Sequence, residues 1–207
     1  MRSFLRPSHI LTVVAVVLLT ACQSTESEQG SAGPLRLVNR NSVLTAPAGW
    51  QEVEPSQVAS MNAPGRRLGS VAAKVRSRSD FRLFDEHILM EEDQWMLVVA
   101  GRHSHPQWRR VEWVNFVSGS DSHTQLEEAG RYDAAVSRPP VVEGMVGEFW
   151  VIEGPGDELV MLAGFAPEAE EGRLRRNLQA TARSVRITST SAIRREDIGS
   201  GSDRFLQ

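Results

Sequence analysis

Residues 147–167 read GEFWVIEGPGDELVMLAGFAP, and their pattern decides the fold class. Two apolar runs, 147–153 and 158–165, flank Gly154-Pro155-Gly156-Asp157. Glycine reaches positive φ at little steric cost and proline fixes its own φ, so these four residues predict a β-hairpin turn. Ala166-Pro167-Glu168 then predicts a helix start. Proline is tolerated in the first helical turn, and Glu168, Glu170 and Glu171 suit the positive end of the helix dipole. Leu174, Leu178 and Thr181 recur at i, i+4 and i+7, which is one helical face. Arg173, Arg175 and Arg176 turn outward. Residues 184–187 (SVRI) form a last short strand.

Outward from this ending the pattern weakens. Residues 94–100 (QWMLVVA) are short, apolar and stop at Gly101, as a buried strand does. Residues 81–90 alternate in part. Residues 107–117 (QWRRVEWVNFV) fit neither period cleanly and are assigned to strand. Residues 124–132 (TQLEEAGRY) read as a helical turn or loop, and residues 70–77 (SVAAKVRS) suit a strand or a short helix. Residues 55–61 suit one helical turn, broken at Pro64-Gly65. Residues 51–53 begin a strand, and residues 35–45 (LRLVNRNSVLT) read as strand before the turn at 46–50. The sum is an α+β fold: a central, largely antiparallel sheet with helices packed on it, α/β/α sandwich-like, in one domain over residues 35–187.

Two features resemble the PsbP/Mog1-like fold. One is the turn Pro47-Ala48-Gly49-Trp50 beside the first strand. The other is the hairpin that passes through Phe165-Ala166-Pro167 into a helix and on to residues 182–187 (ARSVRI). The resemblance covers both ends of the domain, and residues 66–138 depart from it. It implies helices on both faces of the sheet, and an accessory or binding role more often than catalysis. Fold does not give function, and no functional residue carries over.

The N-terminus gives an address. Arg2 and Arg6 precede an apolar run at residues 10–19 (ILTVVAVVLL), too short for a bilayer span of ~20 residues. A charged start, a short apolar core and small residues at its end describe a secretory signal over residues 1–21. Leu19-Thr20-Ala21-Cys22 resembles the lipobox of bacterial lipoproteins. That resemblance implies a diacylglyceryl group on the Cys22 thiol, cleavage just before Cys22, and acylation of the new amine, with palmitate as an expected acyl chain. Each buried CH₂ contributes ~0.8 kcal/mol, so one chain binds marginally and two or more anchor stably. In Gram-negative bacteria, Gln23 in place of aspartate resembles proteins sent on to the outer membrane. Residues 23–34 (QSTESEQGSAGP) read as a flexible tether, and residues 188–207 as a disordered tail. Cys22 is the sole cysteine, so no disulfide can staple the domain.

The formal net charge is −3, and residues 1–21 carry Arg2 and Arg6 with no acid, so the mature chain stands at −5. That balance gives no electrostatic support to nucleic-acid binding. Lys74 is the only lysine.

Candidate sites are few. His103-Ser104-His105 can present two imidazoles on one side of an extended segment, as zinc sites need, with His123 or Asp121 as further ligands. No His-Glu-x-x-His pattern or cysteine ligand supports the pair, so an exposed loop is preferred. Residues 118–123 (SGSDSH) hold Ser, Asp and His, but no Gly-x-Ser-x-Gly elbow exists. No phosphate-binding loop is present. Glu91-Glu92 and Glu127-Glu128 are neighbours that diverge on a strand. Arg66, Arg67, Lys74, Arg76 and Arg78 read as a solvated face. Trp50, Trp95 and Trp150 fall inside apolar runs and read as core. Trp108 and Trp113, beside Arg109 and Arg110, are the expected exposed aromatic surface, because tryptophan and arginine are enriched in binding hot spots. The expectation is a lipid-anchored, non-enzymatic binding or accessory module for another envelope component. It would touch the membrane through its lipid and need no cofactor beyond it. The alternatives are a carrier of a metal or small molecule, or a hydrolase using His103 and His105.

Overall fold

A computed structural model describes residues 33–54, 57, 63–119, 123–140 and 144–188. The signal segment, Cys22, most of the tether, the tail, Asp121 and nearly all of the turn expected at 55–61 lie outside the described residues.

The chain opens with two strands, β1 (Leu35–Val38) and β2 (Ser42–Ala46), paired antiparallel from Leu35↔Ala46 to Val38↔Val43. The single strand expected over residues 35–45 is therefore a hairpin. The backbone N–H of Asn39 donates to the Ser42 carbonyl at 2.7 Å, and Asn39 Nδ2 donates to Ser42 Oγ at 3.0 Å, so a polar turn divides it. Then follow β3 (Gln51–Val53), α1 (Ala63–Arg76), β4 (Phe81–Glu91), β5 (Gln94–His103) and α2 (Arg110–Ser118). β6 (Thr124–Ala129), β7 (Tyr132–Ser137), β8 (Met145–Glu153) and β9 (Glu158–Pro167) come next. A 3-10 turn (Glu168–Glu170), α3 (Glu171–Ser184) and β10 (Arg186–Ile187) complete the order.

β3-β4-β5-β9-β8-β7-β6 form one seven-stranded antiparallel sheet, and β1-β2-β10 a second small one. The large sheet is covered on both faces. On one side α3 and the small sheet close over Trp50, Met96, Trp150, Leu174 and Leu178. On the other, α1 and α2 close over Leu68, Leu97, Trp113 and Val151. Tertiary packing of both faces supplies the hydrophobic drive. Gly164 lets α3 approach the sheet. A Cβ there would stand 2.6 Å from Leu178 Cδ1 and 2.9 Å from Leu174 Cδ1.

Several expectations are corrected. Residues 110–118, assigned to strand, are helix α2. Glu112 Oε2 accepts the backbone N–H of Arg109 at 2.8 Å at the start. Gly119, at φ 72°, closes the end with its N–H on the Asn115 carbonyl. The apolar pattern of α2 is smeared because its neighbours bury it on more than one side. Residues 124–132 are not a helical turn but the β6–β7 hairpin, turned at Gly130 with φ 65°. Residues 70–76 belong to α1, and Pro64-Gly65 sit inside its first turn, where proline costs no hydrogen bond. The last helix starts one turn late, because β9 runs through Pro167 and the 3-10 turn intervenes. Among the described residues no helix is long and apolar enough to cross a membrane.

Candidate functional site

The end of β5 and the start of α2 bring four of the expected site residues together. His103 is the last residue of β5, and its side chain turns into the core under α2. Its ring centre lies 5.8 Å from that of Trp113. His103 is 2% exposed, and neither ring nitrogen has a hydrogen-bond partner among the described residues. Ser104 N–H then donates to the Asp80 carbonyl at 2.8 Å. His105 Nδ1 accepts the backbone N–H groups of Gln107 and Trp108 at 3.2 and 3.1 Å, which fixes the loop into α2.

Trp108 then stacks. Its ring meets Trp113 edge-on at 4.9 Å and 81°, and lies 5.0 Å from His105. The Arg78 guanidinium covers it at 4.1 Å and lies 5.3 Å from the Phe116 ring. Lys74 Nζ sits 4.9 Å from the Phe116 ring centre. Cations over aromatic faces are attracted by the ring quadrupole. Arg78 is itself held by Asp80 through Nε at 2.7 Å and through Nη2. The Arg78 hydrogen bond holds the Asp80 carboxyl below the usual carboxylate range.

This cluster is closely packed. Trp113 is 0% exposed, so the expected exposed pair Trp108 and Trp113 is corrected: Trp108 is half-buried and Trp113 is core. The reason is the helix, which turns Trp113 inward with Val114 and Val117. Arg109 is exposed but occupied, with Asp157 at 3.3 Å and Glu153 at 3.6 Å. The expected three-histidine set is not assembled. His103 is buried, His105 caps its loop, and His123 is exposed just before β6, its carbonyl accepting the Arg138 N–H. Among the described residues no three His, Cys, Asp or Glu side chains are placed to hold a metal ion.

A second feature, built around Glu148 on β8, leaves no local signal in the residue pattern. Its side chain is buried, with Oε2 accepting Arg138 Nε at 2.7 Å and Oε1 accepting Trp150 Nε1 at 2.6 Å. Arg138 also donates to Gln125 Oε1 at 3.1 Å and Glu127 Oε1 at 2.8 Å. Burial works against the Arg138 charge, but the hydrogen bonds to Glu148 and Glu127 outweigh it and raise its pKa. A cavity of about 190 Å³ opens beside it, lined by Pro139, Pro140, Leu174 and Arg175 among others. Across the sheet a groove of about 260 Å³ has Val71, Val117, Phe149 and Phe165 in its walls. Neither space gathers a nucleophile with a general base. The residues come from five or more elements, so no local spacing signals them.

No family model matches the chain, and no curated protein matches it. Among solved structures, it is similar to the solution structure of cyanobacterial PsbP (CyanoP) from Synechocystis sp. PCC 6803. The two share 11% sequence identity at a TM-score of 0.46, over 82% of this chain and 98% of that chain. The likeness is to a PsbP-type protein at the level of fold alone, and it assigns no residue a role.

Proposed function

We propose that this chain is a bacterial lipoprotein whose single α+β domain binds or supports another component of the cell envelope without catalysis. The observation that carries the reading is Leu19-Thr20-Ala21-Cys22 at the end of a charged-then-apolar leader. Cleavage before Cys22 leaves a lipidated residue, 12 polar or small tether residues and then the domain. Two or more acyl chains hold such a domain on a bilayer. In a Gram-negative cell, Gln23 directs it to the periplasmic face of the outer membrane. His103, His105, Trp108, Trp113 and Arg109, which suggested chemistry, are engaged in stacks, a loop cap and ion pairs, which suits a rigid binding module better than a turnover site.

The test is mass spectrometry of the N-terminal peptide from cells, with palmitate labelling of the native chain and Cys22→Ser. A diacylglyceryl-modified, N-acylated Cys22, with label lost in Cys22→Ser, supports the anchor. An unmodified Cys22, or cleavage at another residue, overturns it. In-cell crosslinking then tests the binding half. A stoichiometric envelope partner, lost with Cys22→Ser, supports an anchored module. Turnover of an added substrate by the purified chain overturns the non-enzymatic reading.

A further inference from the structure

The small sheet has an outer face of unusual composition. Its inner face buries Leu37, Leu44, Ala46 and Ile187. Its outer face, by strict alternation, carries Arg36 and Val38 from β1, Val43 and Thr45 from β2, and Arg186 from β10. Val38 is 66% exposed, one of two large apolar side chains exposed among the described residues. No acidic residue occurs in any of the three strands.

Many arginines of the domain sit in ion pairs, although Arg82, Arg131 and Arg176 form none among the described residues. Arg102, Arg138 and Arg173 each pair with a glutamate. Among the described residues the Arg36, Arg183 and Arg186 side chains form no ion pair, and at the rim the Arg40 backbone N–H donates to Asp85 Oδ2 at 2.7 Å. Arg186 Nη1 donates to the carbonyls of Arg183 and Val185, at 3.3 and 2.8 Å. Arg40 lies over the Phe84 ring at 5.6 Å. The result is a positive face with an apolar centre on an acidic domain.

The chain enters the domain at this same sheet, since the tether runs directly into β1. Twelve residues separate Cys22 from Leu35. Twelve residues reach at most about 43 Å. An anchor at Cys22 therefore leaves this face within reach of the bilayer, where headgroup charges act over ~8–10 Å.

From this, and resting on the lipoprotein reading, we infer that the outer face of the β1-β2-β10 sheet is a membrane-docking surface, which seats on anionic phospholipid headgroups. Arginines near an anionic surface gain electrostatic free energy, and Val38 and Val43 meet the interfacial layer between them. Docking turns the opposite face, with α1 and α2, towards the aqueous space.

The test uses the lipidated full-length mature chain, reconstituted in vesicles of phosphatidylcholine alone or with phosphatidylglycerol. The Cys22 thiol is consumed by lipid, so Val38→Cys takes a fluorophore selectively. Leu126→Cys is the control, because Leu126 is also exposed and pairs with Ala135 on the opposite side of the large sheet. Quenching by headgroup-nitroxide lipid is read at both positions. The expected result is quenching at residue 38, not 126, that requires phosphatidylglycerol and weakens with salt. Arg36→Gln, whose side chain holds no bond among the described residues, lowers the docked-to-free ratio about five-fold, and Arg36→Gln with Arg186→Gln about 25-fold. An unmodified Cys22 overturns the anchor and this inference together. A lipidated chain with equal quenching at both positions, or none needing phosphatidylglycerol, overturns the docking face alone. Protection of residue 38 that rises with protein density in neutral vesicles identifies a second copy as the occupant and overturns the lipid assignment.

Discussion

The Arg78 guanidinium lies 4.1 Å from the centre of the Trp108 ring while its Nε holds Asp80 Oδ1 at 2.7 Å. One side chain thus ties the loop after α1 to the loop before α2. The stack and the ion pair orient each other, so loss of either loosens both loops. Arg78→Ala is expected to lower the unfolding free energy by about 1–2 kcal/mol. Arg78→Lys recovers less than half, because ammonium has neither the planar stack nor the forked bonds. Urea unfolding followed by tryptophan fluorescence reads both, and a variant as stable as the native chain would refute the coupling.

Asp80 adds a pH dependence. Its folded pKa lies below the ordinary value, with the Arg78 hydrogen bond as the leading cause. The sign follows. The stabilisation is fully present above the unfolded pKa of ~3.9, and is lost as pH falls through the lower folded value. Asp80→Asn removes this component, so the native and variant chains should converge in stability at acid pH. Parallel curves from neutral to acid pH would rule it out.

His103 predicts a gain from a loss. A buried polar ring without partners carries a desolvation cost, so an apolar residue of similar volume can be neutral or stabilising. His103→Leu is expected to hold or raise stability by about 1 kcal/mol. Thermal melts compare it with the native chain. A fall of several degrees would mean that the imidazole has a bonded role.

Glu148 predicts the reverse. It is 2% exposed and bonded to Arg138 and Trp150. Glu148→Gln leaves Arg138 with Glu127 as its remaining carboxylate partner among the described residues, and is expected to cost about 2 kcal/mol. Arg138→Met with Glu148→Met should recover much of that, because it removes both charges together. Chemical denaturation of Arg138→Met, Glu148→Met and the double variant as a cycle measures the coupling, and simple additivity would disprove it.

Gly164 tests the seat of α3. Gly164→Ala places a methyl against Leu178 and Leu174, and is expected to cost about 1–3 kcal/mol by overpacking. Adding Leu178→Ala should offset part of the strain. Equal stability of Gly164→Ala and the native chain would mean that the helix shifts freely.

The local signals that were readable are those set by neighbours in the chain. The GPGD turn, the Leu174 and Leu178 stripe and the run at residues 94–100 each carry their own period or punctuation, so hairpin, helix and buried strand follow without tertiary information. Trp50, Trp95 and Trp150 are buried as their apolar runs imply. Residues 110–118 defeat that logic, because a helix wedged between α1 and the sheet buries Trp113, Val114 and Val117 on adjoining sides and blurs its period. Only its Glu112 and Gly119 caps betray it. The placement of His103, the Arg78 stack on Trp108 and the Glu148–Arg138 pair were decided by tertiary structure alone. Each joins residues from different elements, and sequence spacing holds no record of which faces of those elements meet.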